Sequence, residues 1–130
     1  MVPHHIGYLV KNIERARTEF IALGYKVEQD TVYDEYRDIN ICFLCNSGYR
    51  VELVMPVSER SVVRGLLKKQ GAGPYHICYY TEDMEKDAAM LRERGYMPLG
   101  DVQPAPAIGN ALAGFFFHIQ YGILELIERQ

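Results

Sequence analysis

Four residues of the 130-residue chain have the types and the spacing for metal chemistry: His5, Glu52, His76 and Glu125. Two imidazoles and two carboxylates suit Ni²⁺, Co²⁺, Mn²⁺, Fe²⁺ or Zn²⁺, and four protein donors on a six-coordinate ion leave two positions for water or substrate. Open positions of that kind let an ion act as a Lewis acid. Each glutamate interrupts an apolar run, Val51-Glu52-Leu53-Val54 in one case and Leu124-Glu125-Leu126-Ile127 in the other. A carboxylate buried in such a strand is costly unless it is paired or metal-bound. The alternative is that each acid faces solvent from a half-exposed strand. Against that stands the placement of both acids at equivalent positions, each with its own histidine.

The equivalence comes from an internal repeat. His5-Ile6-Gly7-Tyr8 recurs as His76-Ile77-Cys78-Tyr79, a shift of 71 residues. At that shift Asn12 lies over Asp83, Ile13 over Met84, Phe20 over Leu91, Gly24 over Gly95 and Tyr25 over Tyr96. The closing strands repeat with a shift of 73, which sets Glu52 over Glu125 and Cys45 over His118.

The elements that must position these residues follow from the same pattern. Each copy reads as a short strand, an Asn or Asp able to cap a helix, a helix with one apolar stripe, and a glycine suited to the helix end. The stripe is Ile13, Ala16, Phe20 and Leu23 in the first copy and Met84, Ala88 and Leu91 in the second. Strands are predicted around Tyr25 to Tyr33, Arg37 to Cys45 and Tyr49 to Met55, with a hairpin turn at Asn46-Ser47-Gly48. The second copy is interrupted by Pro98, Pro104 and Pro106 and resumes as strands over Ala113 to Ile119 and Gly122 to Glu128. Between the copies, Ser58 to Lys69 reads as a connecting helix and Gly71-Ala72-Gly73-Pro74 as a hinge. The irregular stretch from Val102 to Asn110 is a candidate lid or substrate rim. The expected fold is α+β: a single domain, residues 1–130, of two tandem βαβββ modules, about 1–57 and about 74–130, joined by a linker helix at about 58–73. Its curved mixed sheet would surround a metal cleft.

A net charge of −3 and a pI near 5.8 offer no field for nucleic acid or anionic lipid. The Met-Val-Pro-His-His-Ile-Gly start has neither the basic nor the apolar region of a secretion signal, and no apolar stretch reaches membrane-spanning length, so a cytoplasmic protein is expected. The odd set of Cys42, Cys45 and Cys78 argues against a disulfide framework. Cys42 and Cys45 form a CxxC, but on a strand residues three apart face opposite ways, which favours buried cysteines over a redox or zinc clip. His4, next to His5, is expected to point away from it, at the surface. His118 either packs near its strand end or lines the cleft. The ten tyrosines read as core and rim.

His-His-Ile-Gly-Tyr-Leu-Val at 4–10, Val-Glu-Leu-Val at 51–54, Tyr-His-Ile-Cys-Tyr at 75–79 and Gly-Ile-Leu-Glu-Leu-Ile-Glu at 122–128 resemble the four metal-bearing strands of the vicinal oxygen chelate superfamily. The resemblance spans essentially the whole chain. It implies His5, Glu52, His76 and Glu125 as the ligands of one divalent metal ion. Within the superfamily the His, Glu, His, Glu set is similar to that of glyoxalase I. It implies a lyase or isomerase that removes the proton α to a carbonyl of a small thiol adduct or thioester, through an enediolate. Glu125 would be the base and Glu52 its pseudo-symmetric partner. Methylmalonyl-CoA epimerase is similar in the opening strand and the His-Ile-Cys segment, but it carries Gln where Glu52 stands, and the second acid expected near Arg37-Asp38-Ile39-Asn40 is not evident. A third reading is a ligand-sequestering protein like the bleomycin-resistance members, which generally lack the metal quartet. An Fe²⁺ ring-cleaving dioxygenase would use two histidines and one carboxylate, so Glu52 counts against it. The resemblance also points to a homodimer acting on a small molecule.

Overall fold

The protein is described over residues 1–130 by a computed structural model. The first half runs β1 (Val2–Leu9), α1 (Ile13–Ala22), β2 (Lys26–Asp34), β3 (Ile39–Asn46) and β4 (Tyr49–Pro56). After α2 (Arg64–Gln70) the second half follows as β5 (Gly73–Thr81), α3 (Met84–Glu93), β6 (Met97–Pro98), β7 (Gln103–Ala105), β8 (Ala111–His118) and β9 (Gly122–Glu128). All strands join one sheet in the order β2-β3-β4-β1-β5-β9-β8-β6, with β7 on β8. The halves are related in topology: β1 pairs β4 and β5 pairs β9, both parallel, and antiparallel β1 and β5 join the halves at the centre. No helix is long and apolar enough to cross a membrane.

Each long helix starts where the sequence provides a cap. Asn12 accepts a hydrogen bond from the Arg15 N–H and Asp83 from the Lys86 N–H, in the extended conformation that an N-cap requires. The two helices lie on one face of the sheet. Under α1, Ile13 packs with Cys42, Leu44, Val51 and Leu53; under α3, Met84, Ala88 and Leu91 pack with Phe116 and Leu126. Strand alternation sends the intervening residues to the opposite face, where Leu9, Ile41, Phe43 and Val54 meet Val63 and Leu67 from the α2 region. That second face therefore carries His5, Gly7 and Leu9 of β1, Glu52 and Val54 of β4, and Glu125 and Ile127 of β9.

Three expected boundaries shift. The linker helix is formed only over Arg64–Gln70. Its first part is held as turns instead, because the Asp38 carboxylate accepts from the Ser58 N–H and hydroxyl and the Val62 N–H donates to the Arg37 carbonyl. The hinge is shorter as well: Gly73 and Pro74 already belong to β5, opposite Leu9 and Tyr8. Within the irregular 102–110 stretch, Gln103–Ala105 pairs with β8 and Pro106–Ile108 forms a 3₁₀ turn that lays Ala107 over the second face.

Candidate metal centre

The sheet brings the four sequence-predicted donors together inside one chain. Their ligand atoms all lie within 4.8 Å of one another, and all four residues are buried. His5 Nε2 is 3.1 Å from His76 Nε2, 3.2 Å from Glu125 Oε1 and 3.5 Å from Glu52 Oε1. His76 Nε2 is 3.1 Å from Glu125 Oε1 and 3.8 Å from Glu52 Oε1. Two donors come from the outer parallel strands β4 and β9, and two from the central pair β1 and β5. The acids do not face solvent.

These residues fit a divalent cation. Ligands about 2.1 Å from one ion and at right angles about it stand roughly 3 Å apart, which is the spacing of the two imidazole nitrogens and Glu125 Oε1. That oxygen lies close to both rings yet makes no aligned hydrogen bond, and His76 Nδ1 has no partner either. Charge gives the same answer. Burial opposes an imidazolium at His5, but Glu52 and Glu125 outweigh it and hold its pKa up to about 10. Burial also opposes the Glu125 carboxylate, yet the close approach and charge of His5 and His76 keep it far below the usual range. Both shifts mark a pocket that favours positive charge beside the two carboxylates.

Position 7 must be glycine. A Cβ there would lie 2.1 Å from His76 Cε1, so the His76 ring occupies the volume that any other residue at 7 would fill.

Several expectations change at the neighbouring positions. His4 does not point away from His5. The β1–β5 register slips between Pro3 and His5, leaving His4 as the extra residue of a bulge, and the bulge turns its ring to the same side as that of His5. His4 Nδ1 lies 2.7 Å from His5 Nδ1. Burial, then the charges of His5 and Arg50, lower its pKa to about 4. A second slip, between Gly7 and Tyr8 on β1, leaves Tyr75 unpaired on β5, with its ring centroid 4.4 Å from that of His76. His118 is not in the cleft; it packs on Tyr96 and Tyr121 and accepts from the Gln120 N–H. The three cysteines are free, and burial with Glu125 and Glu52 pushes the Cys78 thiol far up, so it stays protonated.

Other residues of the cavity were not singled out by their types. Asp34, Arg37, Tyr75, Phe115 and Ile108 line the small space in front of Glu52 and Glu125. Asp34 is 1% exposed and Arg37 8%. Arg37 Nη1 donates to Asp34 Oδ2 at 2.8 Å and to the Pro104 carbonyl at 2.9 Å. Arg37, Ile39, Tyr75 and Phe115 continue into a wider cavity of about 320 Å³, whose walls include Val62, Val63, Leu66, Leu99 and Ile123. That size is at the lower end for small-molecule sites. Burial, Glu52 and Glu125 drive the Tyr75 hydroxyl well above its ordinary pKa, leaving it a hydrogen-bond donor beside the donors of the centre.

A continuous sheet of two like halves around two His and two Glu defines a paired-βαβββ protein with a candidate metal cleft. The chain belongs to the Glyoxalase/Bleomycin resistance protein/Dioxygenase superfamily, whose family model matches residues 4–115. The ethylmalonyl-CoA/methylmalonyl-CoA epimerase of Cereibacter sphaeroides is 29% identical over 103 residues, 78% of this chain and 76% of that protein. Among solved structures, a hypothetical protein of Bacillus halodurans superposes with a TM-score of 0.85 at 24% identity, covering 98% of this chain and 94% of the other, which shows the shared fold. A methylmalonyl-CoA epimerase variant of Streptomyces coelicolor, solved in complex with 2-nitronate-propionyl-CoA, gives a TM-score of 0.82 at 25% identity over 98% and 94% of the two chains.

Proposed function

We propose that this protein is a metal-dependent epimerase of an α-substituted malonyl-type acyl thioester, with a coenzyme A thioester as substrate. The observation that carries the reading is the buried four-donor cluster, whose two glutamates line a small space that shares Arg37, Ile39, Tyr75 and Phe115 with a largely apolar cavity. The kinship with acyl-CoA epimerases supports this reaction. The glyoxalase I-type lyase expected from the His, Glu, His, Glu set draws no specific support from these relatives. Its one favourable observation is Glu52 itself, where epimerases carry Gln.

A divalent ion held by His5, Glu52, His76 and Glu125 would supply a Lewis acid for the negative charge that develops on the substrate oxygens. The chain's own groups do the rest. Glu125 and Glu52 come from opposite halves and both face the small cavity. An epimerase needs a base to take the α-proton and an acid to return one on the other face; Glu125, as carboxylate, takes the first role and Glu52, carrying a proton, the second, and the two exchange protons with water before the next turnover. The apolar walls exclude water from the carbanion. Arg37, tied to Asp34, fixes the floor between the small and wide spaces.

The test is exchange of the α-proton of (2R)-methylmalonyl-CoA in D₂O, followed by NMR with Co²⁺-, Ni²⁺-, Mn²⁺- or Zn²⁺-loaded protein, beside an assay of the methylglyoxal–glutathione hemithioacetal. Deuterium uptake with loss of stereochemistry is expected, and Glu125→Gln is expected to slow it by about 10²- to 10⁴-fold. Full turnover by Glu125→Gln would remove that residue as the base. Turnover of the hemithioacetal without thioester exchange would replace the epimerase by the lyase.

A further inference from the structure

We propose that His4 is a positioning residue for the metal centre: its Nδ1 accepts the His5 Nδ1–H and so holds the His5 ring with Nε2 turned toward the other three donors. The inference rests on the reading of His5 as a metal ligand. The two Nδ1 atoms are 2.7 Å apart, while on the far side of the same ring Nε2 lies within 3.5 Å of His76, Glu125 and Glu52. A neutral imidazole carries one proton on one of its two nitrogens. With the Nε2 lone pair given to an ion, that proton is on Nδ1, and His4 Nδ1 is the acceptor in reach. Metal-bound histidines use their second nitrogen in this way to fix tautomer and ring orientation.

Adjacent residues of a regular strand could not make this contact, because they face opposite ways. The bulge at His4 removes that obstacle. The acceptor ring is itself held. It stands edge-on to Tyr80 at 4.7 Å and to Phe43 at 5.9 Å between centroids. The His4 carbonyl accepts from Arg50 Nη1, and Arg50 is paired with Glu28.

The second half of the chain provides a contrast within the same molecule. Tyr75 is bulged before His76 as His4 is before His5, and both slips occur along the same β1–β5 pair. Tyr75 packs its ring on His76, but His76 Nδ1 remains buried without a partner. Two repeat-equivalent ligands thus differ: His5 is locked by a hydrogen bond and His76 only by packing. The donors of His4, His5 and Cys78 also lie within 4.8 Å of one another, so His4 could in principle be a ligand of a second ion instead. Stoichiometry separates the two.

Co²⁺ affinity and stoichiometry, read by competition with a chromophoric chelator, decide the matter for the wild-type chain and for His4→Phe, His4→Asn and His5→Ala. Thermal unfolding of each metal-free form checks folding, and His4→Leu replaces His4→Phe if the latter does not fold. Phe keeps the packing on Phe43 and Tyr80 and removes the acceptor, whereas Asn returns an amide oxygen near the Nδ1 position. One ion per chain is expected, with affinity weakened about 10- to 100-fold in His4→Phe, close to wild type in His4→Asn, and lost in His5→Ala. Wild-type affinity in His4→Phe, or equal weakening in the Phe and Asn variants, would overturn the positioning role. So would two ions per chain with one lost in His4→Phe. Co²⁺ uptake that is indifferent to His5→Ala would instead overturn the metal-site reading, and this inference with it.

Discussion

A Cβ on Gly7 would collide with three atoms of the His76 ring, the nearest at 2.1 Å, so at the scale of single residues the site depends on an absent side chain as much as on the four donors. Gly7→Ala is expected to push the His76 imidazole out of line with the other ligands. The cost of forcing a methyl into a filled space is about 1–3 kcal/mol, measurable by denaturant unfolding, and metal affinity should fall with it. Retention of both stability and affinity would mean that the ring can move without leaving the centre. The four donors were legible in the sequence because the repeat marked each His and Glu twice. His4 and Tyr75 were not. Their directions depend on two register slips between strands 71 residues apart in sequence, and alternation counted along one strand cannot show a bulge. Alternation alone therefore puts His4 on the wrong side.

Between residue and molecule, the turn from β2 to β3 decides what stands opposite the candidate metal centre. Asp34 ends β2, Arg37 sits in the turn, and their side chains are 1% and 9% exposed. Nothing in the types Asp-Glu-Tyr-Arg-Asp marks three of the five, Asp34, Arg37 and Asp38, as buried. The burial arises because Arg37 reaches across to the carbonyls of Pro104 and Gln103 and lies 5.8 Å from the Phe115 ring centroid. These partners are known only once the second half is folded against the first. A buried ion pair left with one member is strongly destabilising. Arg37→Leu, which leaves the Asp34 carboxylate without a cation and with only the backbone N–H of residue 37 as donor, should therefore lose about 3–5 kcal/mol in urea or guanidinium unfolding. A loss near zero would mean that Asp34 takes up a proton or that water enters, and the double variant Asp34→Leu/Arg37→Leu would then be no more stable than the single one. The helices were legible for the opposite reason. Their caps and apolar stripes are local, and Asn12 and Asp83 cap where the repeat places them. The connecting helix is shorter than expected, because Asp38 draws Ser58 and its neighbours into turns, and Leu23, expected in the α1 stripe, is the exposed C-cap.

On the scale of the whole chain, the two halves share one strand pair, β1 with β5, at the middle of the sheet. His5 and His76 come from those two strands, and Glu52 and Glu125 from their outer parallel neighbours. An ion bound by all four would tie four consecutive strands of the sheet together across the junction. Glu52 and Glu125 are buried there, and their charge raises the pKa of the buried His5 beside them. Binding to the folded chain alone stabilises by RT ln(1 + [L]/Kd), about 4 kcal/mol at a thousandfold excess over Kd. Because the ligands are divided between the halves, this stabilisation should appear in one cooperative unfolding transition. It should be reversed by a chelator and be absent from a variant lacking a ligand from either half, His5→Ala or His76→Ala. Calorimetry with and without Co²⁺ measures it. Two transitions of which only one moves with metal would place the ion within a single half, and the shared centre would have to be given up even though its four donor atoms lie within 4.8 Å of one another.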